Sequence, residues 1–141
     1  MALTMAATVE RRTWDVLVVL TAPPHTTDAL TTVLRLAQAV LEREHTFRVW
    51  ACGYNTILTQ ASLGEAKPAD LRDPSAPAPT AGALIRGLLT AYKGRFSWIV
   101  CTACSAERGA RDHIAEVRLR SDARLAATIA AARRTVYIGG A

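Results

Sequence analysis

Two apolar runs flank an amphipathic segment near the start of the chain, and this order restricts the fold more than any other feature. Asp15 to Ala22, DVLVVLTA, is a β-branched and leucine run with the unbroken hydrophobicity of a strand covered on both faces. Pro23-Pro24-His25 breaks it, and Thr26, Thr27 and Asp28 are residue types that accept hydrogen bonds from the free amides of a helix start. Leu30, Val33, Leu34, Ala37, Val40 and Leu41 then recur at three- and four-residue steps, which predicts a helix to about Glu44 with one apolar face on a sheet. Thr46 to Cys52, TFRVWAC, reads as a second strand ended by Gly53. Strand, helix and strand on short connections make a βαβ unit, which crosses over right-handed.

The pattern repeats downstream. Thr56 to Leu63 reads as a short helix stopped by Gly64. The next segment carries Pro68, Pro74, Pro77 and Pro79, so an irregular, exposed Pro-rich loop is expected at about 65–79. Thr80 caps a helix whose inward face is Ile85, Leu88, Leu89 and Tyr92, with Gly94 at its end. Phe96 to Cys101 is a third strand, and Ile114 and Val117 point to a short helical piece beyond it. Ser121 caps a last helix with Leu125, Ala126 and Ile129 on its apolar side and Arg133 and Arg134 near its negative end. Thr135 to Ile138 closes the chain as a strand. The expectation is an α/β fold, a three-layer α/β/α sandwich around a mostly parallel sheet of about five strands. Residues 1–12 are expected as a flexible tail, and 13–141 as one domain of a size that supports its own core.

Composition narrows the function classes. The net charge of +5 comes from arginines interspersed with acids, without an aromatic-basic stripe, so a solvated basic surface is expected. That charge leaves attraction to an acidic partner open, with no direct nucleic-acid signal beyond it. Three cysteines, two of them close together, do not make a disulfide scaffold and fit a reducing compartment. Glu10, Arg11 and Arg12 interrupt the apolar start, so no secretory signal is expected, and the longest apolar stretch breaks at Pro23, too short for a bilayer. A soluble, cytoplasmic protein follows. No G-x-G-x-x-G, P-loop or Ser/His/Asp set is readable, which sets nucleotide and hydrolase chemistry aside.

In such a fold ligands gather at the carboxyl ends of the strands. Three loops leave those ends: Pro23 to Thr27, Gly53 to Thr56 and Cys101 to Gly109. The third, within FSWIVCTACSAERGA, places Cys101 where an apolar strand turns toward a possible helix, whose free amides favour thiolate over thiol. Cys101 reads either as a nucleophile or as a small apolar residue closing a strand. Cys104 completes a C-x-x-C spacing, as a resolving or persulfide-sharing thiol or as packing beneath the turn. No proline follows Cys104, which ranks pure disulfide exchange below sulfur transfer. If Ser105 to Gly109 is helical, Cys104 and Arg108 share a face, and the guanidinium can stabilise a thiolate or bind an anionic donor. Gly109 fits a backbone turn closed to other residues. His25 is a candidate proton shuttle, and Tyr54 and Asn55 are candidate pocket walls. His113 and Cys52 do not add the second close ligand pair that zinc sites usually show, so no metal and no cofactor are expected. Cys52 reads as core.

Three stretches give the chain a resemblance to the DsrE/DsrF/TusD-like family of sulfur-transfer proteins. They are VLVVLTAPPHTTDALTTVLRLAQAVLE, the strand-Gly turn VWACGYNTIL, and Cys101 with Arg108-Gly109 seven and eight positions on. The resemblance covers about Trp14 to Ile138. It implies a cytoplasmic sulfur carrier that holds sulfane sulfur as a persulfide on Cys101, served by donor and acceptor proteins and assembled as a homo-oligomer, a trimer or hexamer. Some members of the family lack the cysteine and serve structural roles, so a non-catalytic subunit or a small-ligand or partner-binding module is the alternative. Two departures stand out: Cys104 inside the motif, and Asn55 where an acidic residue is frequent.

Overall fold

The apolar runs become the strands of one parallel sheet. The computed structural model describes residues 12–70 and 72–140. In chain order the elements are β1 (Trp14–Leu20), α1 (Ala29–Leu41), β2 (Phe47–Ala51), β3 (Ala66–Asp70), β4 (Asp73–Pro79), α2 (Ala81–Ala91), β5 (Phe96–Cys101), α3 (Thr102–Glu107), β6 (Arg118–Arg120), α4 (Leu125–Ala130) and β7 (Ala132–Ile138). The main sheet runs β6-β5-β2-β1-β7 with every neighbouring pair parallel. This is the expected α/β architecture, and its five strands match the number read from the sequence.

Strand alternation divides the core between two faces. Val18 and Leu20 of β1, Val49 and Ala51 of β2 and Trp98 and Val100 of β5 point to the side covered by α1 and α2, where they meet Val33, Ala37, Leu41, Ile85 and Leu89. Leu17, Val19, Trp50, Ile99 and Cys101 point to the other side, packed by Leu125 of α4 and Cys104 of α3. Trp50, Trp98, Leu17 and Ile99 are fully buried, each contributing about 2 kcal/mol of burial free energy. The second face has the thinner cover, because α3 and α4 are six residues each. Cys101 lies on that thinner side.

Local signals place most boundaries. Thr80 caps α2 as expected, accepting from the Ala83 amide at 3.1 Å while its hydroxyl donates to the Gly64 carbonyl at 2.8 Å. The chain turns into α1 through Thr27, whose hydroxyl accepts from the Ala29 amide at 3.3 Å; α1 itself ends at Leu41, before the expected Glu44.

Other stretches differ from the sequence reading. Most described side chains of the Pro-rich segment are exposed, but the backbone is not irregular: β3 and β4 pair antiparallel, with Lys67 opposite Ala78 and Pro68 opposite Pro77. A two-stranded ribbon has two free edges, so a residue without an amide hydrogen costs it no ladder bond when it faces outward. The expected helix at Thr56 to Leu63 is instead two short 3-10 turns, Gly53–Ile57 and Ala61–Leu63. Ile114 and Val117 belong to a turn leading into β6 and not to a helix. Arg133 and Arg134 lie inside β7 and not at a helix end, because this edge strand begins at Ala132 and leaves them exposed. The expected tail at 1–12 falls, apart from Arg12, outside the described residues. Among those described, no helix is long and apolar enough to cross a membrane.

Candidate functional site

The register of the two central strands assembles the site. β2 and β5 run parallel with Trp50 opposite Ile99 and Ala51 opposite Val100. Cys52 directly follows β2 and Cys101 ends β5, so both come at the carboxyl ends of adjacent strands, which in a sheet are spaced about 4.8 Å apart. Alternation points both to the thinner face, after Trp50 and Ile99 respectively. α3 starts at once from Cys101, its N-cap residue, and its first turn brings Cys104 back over the same spot. All three thiols belong to one packed cluster and none is in a disulfide. Cys104 and Cys52 both pack against the cluster that contains Cys101.

Burial governs ionisation here. Cys101 is 3% exposed, and its thiol is pushed up from the ordinary value, first by desolvation and then by the neighbouring Cys104 thiol. The backbone at Cys104 and Ala103, in the first turn of α3, opposes that rise, although no capping hydrogen bond closes onto the sulfur. Desolvation outweighs the helix start expected from the sequence to favour the anion, and the resting group is a thiol and not the expected thiolate. Cys52 is pushed up to about 11 by burial, opposed by a hydrogen bond from the Trp50 indole, whose N–H donates to its sulfur at 3.1 Å.

The remaining candidates divide between framework and rim. Arg108 follows α3 as its C-cap and donates to the Cys104 carbonyl at 3.1 Å and to the Glu107 carboxylate at 3.2 Å. Its guanidinium lies over the Tyr54 ring, 4.5 Å from the centroid. Tyr54 is itself 57% exposed and forms one side of the rim. Gly109 has φ of +66°, the left-handed conformation that a side chain would strain. It turns the chain from α3 back toward the sheet. Asn55 is fully buried; its amide group donates to the carbonyls of Ala22 at 2.8 Å, Cys52 at 3.2 Å and Leu20 at 3.3 Å. It joins the ends of β1 and β2 and is framework, not a pocket wall. His25 is exposed in the loop after β1, at the same end of the sheet, with φ of +70°.

His113 has a different task from the metal ligand weighed above. Its Nδ1 meets the Thr59 hydroxyl at 3.0 Å, and its Nε2 meets the Ser105 hydroxyl at 2.7 Å and the Ala110 carbonyl at 2.8 Å. The ring thus pins α3 from behind. Among the described residues, no group of three or more His, Cys, Asp or Glu side chains is arranged to hold a metal ion.

Residues 15–138 match the sequence model of the DsrE/DsrF-like family. The chain belongs to that family. Its fold agrees: the crystal structure of the YchN protein from E. coli superposes with a TM-score of 0.68 at 21% identity, covering 89% of this chain and 99% of that one. No curated protein matches the sequence. The DsrE/DsrF-like family is generally connected with sulfur relay, and this member places its cysteines where the central strands end. Cys52 is the residue that the sequence reading left in the core. The available signal was that two strands of one βαβ-type sheet both end in cysteine, so that parallel register sets the two side by side.

Proposed function

We propose that this DsrE/DsrF-like chain is a sulfur carrier that takes sulfane sulfur onto Cys101, shares it with Cys104 and passes it to an acceptor protein. The observation that supports this most is Cys101 at the β5–α3 junction, buried in a cluster against which Cys104 and Cys52 both pack. A resting thiol is compatible with loading. Attack on the outer sulfur of a donor persulfide, R–S–S⁻, forms Cys101–S–S⁻, and the thiol proton leaves with the displaced R–SH. The first turn of α3 then lies beside the anionic product. Half-exposed Cys104 is the port to solvent and partner.

The wider reading is a cytoplasmic homo-oligomer, trimer or hexamer, that works between donor and acceptor proteins. Incubation with a persulfide donor tests the core of it. The native chain should gain mass in units of one sulfur atom, and Cys101→Ser should lose most of that gain; equal loading by Cys101→Ser contradicts the assignment.

The burial of Cys101 and its raised pKa favour a second reading, in which the chain is a non-catalytic subunit or a binding module. A native chain that takes up no sulfur from small or protein donors, while binding a partner normally, would select it.

A further inference from the structure

Cys52 stands beside the carrier site without a part in it. It follows Ala51, whose register partner Val100 precedes Cys101, it packs with Cys104 against the cluster that holds Cys101, and its sulfur is oriented by the Trp50 indole. An indole N–H only donates, so the contact fixes the sulfur without competing for its proton. Cys52 and Cys104 are both partly exposed, whereas Cys101 is closed off. Three mutually adjacent thiols exceed what one-cysteine carrying requires.

We propose that Cys52 is a resolving thiol that discharges the bound sulfur as hydrogen sulfide, leaving a Cys52–Cys104 disulfide. The inference rests on the carrier reading and adds a reductive activity to it. In the first step Cys104 attacks the outer sulfur of Cys101–S–S⁻, giving Cys104–S–S⁻ and Cys101–SH, with the Cys104 proton moving to Cys101. In the second, Cys52 attacks Cys104 Sγ: Cys104–S–S⁻ and HS–Cys52 become Cys104–S–S–Cys52 and HS⁻. Sulfane sulfur takes up the two electrons that the new disulfide gives up, and the Cys52 proton leaves on the sulfide. A thiol that stays protonated in the fold delivers that proton where a bare sulfide dianion would otherwise have to depart. Two molecules of a low-molecular-weight thiol then reduce the disulfide and leave as their own disulfide. The turnover converts sulfane sulfur and two thiols into hydrogen sulfide and a disulfide.

The test uses the full reduced chain, loaded with inorganic polysulfide and freed of excess donor. Released sulfide is quantified and cross-links are mapped by non-reducing proteolysis and mass spectrometry. The native chain should release sulfide while a Cys52–Cys104 link accumulates. Cys52→Ala and Cys52→Ser, checked for native circular dichroism, should load sulfur yet release sulfide about tenfold more slowly. Release at the native rate from both variants, or a Cys101–Cys104 link alone, overturns the proposal. A parallel arm with the thiol oxidant diamide examines the pair without any sulfur. A Cys52–Cys104 link there, with no polysulfide uptake, sinks the carrier reading and the discharge but retains the redox pair; no link there sinks the pair itself.

Discussion

The guanidinium of Arg108 lies over the ring of Tyr54, 4.5 Å from its centroid, and ties the end of α3 to the turn that follows β2. Because the same guanidinium also donates to the Cys104 carbonyl, this contact holds the thiol-bearing helix against the strand end that carries Cys52. A double-mutant cycle with Arg108→Ala and Tyr54→Ala should give a coupling of about 0.5–1 kcal/mol in denaturant unfolding, the size of a partly exposed cation–π pair. Both single variants should also speed alkylation of Cys104. Additive unfolding energies and unchanged alkylation would show the stacking to be incidental.

Asn55 should be intolerant of a carboxylate. Its amide group faces three carbonyl oxygens without exposure to water, so Asn55→Asp replaces a donor by a buried negative charge among acceptors. The expected loss is about 3–5 kcal/mol, against about 1–3 kcal/mol for Asn55→Ala, read from urea midpoints. An aspartate variant as stable as the native chain would mean that the loop repacks.

These contacts show where sequence reading was strong and where it stopped. The strands and helices with apolar periodicity were legible, because Val16 to Leu20, Leu30 to Leu41 and Phe96 to Cys101 each carry the pattern of the surface they bury. β6 carries no such pattern: Arg118, Leu119 and Arg120 form an edge strand with little burial, held by backbone pairing to Ile99, Val100 and Cys101. The β3–β4 ribbon was missed because its prolines argue against a central strand, and a free two-edged ribbon is a different case. At the candidate site, spacing along the chain singles out Cys101, Cys104 and Arg108 as candidates. Asn55 and Cys52 depend on which strand lies beside which, and single-chain spacing does not state that.

Thiol reactivity should follow burial. Desolvation raises Cys101, and it raises Cys52 to about 11, so both should resist iodoacetamide in the native chain at a pH where denatured chain is fully modified. Cys52 should label only as the pH climbs toward 11. Peptide mapping after timed labelling reads this directly. Rapid native labelling of Cys101 near neutral pH would mean that the backbone at Ala103 and Cys104 outweighs burial.

Asp15 makes stability sensitive to acid. Its carboxylate accepts from the Thr46 amide at 2.9 Å and hydroxyl at 3.1 Å, and lies 3.6 Å from Arg133 and 3.5 Å from His45. The backbone hydrogen bond, aided by the hydroxyl and by the nearby His45 and Arg133, holds the folded pKa below 3.8 despite some desolvation. A lowered carboxylate pKa gives stability that is present above the unfolded value and lost as pH falls through the folded one. Asp15→Asn should therefore cost about 1 kcal/mol at neutral pH and flatten the decline of the urea midpoint below pH 3.8. An unchanged acid limb in the variant would place the sensitivity elsewhere.

The most direct test of the account is where sulfane sulfur resides shortly after loading. The native chain, exposed briefly to a persulfide donor, blocked with an alkylating agent under denaturing conditions and mapped by peptide mass, should carry the extra sulfur first on Cys101 and then on Cys104. Extra sulfur that never appears on Cys101, or that appears unchanged in Cys101→Ser, would contradict it.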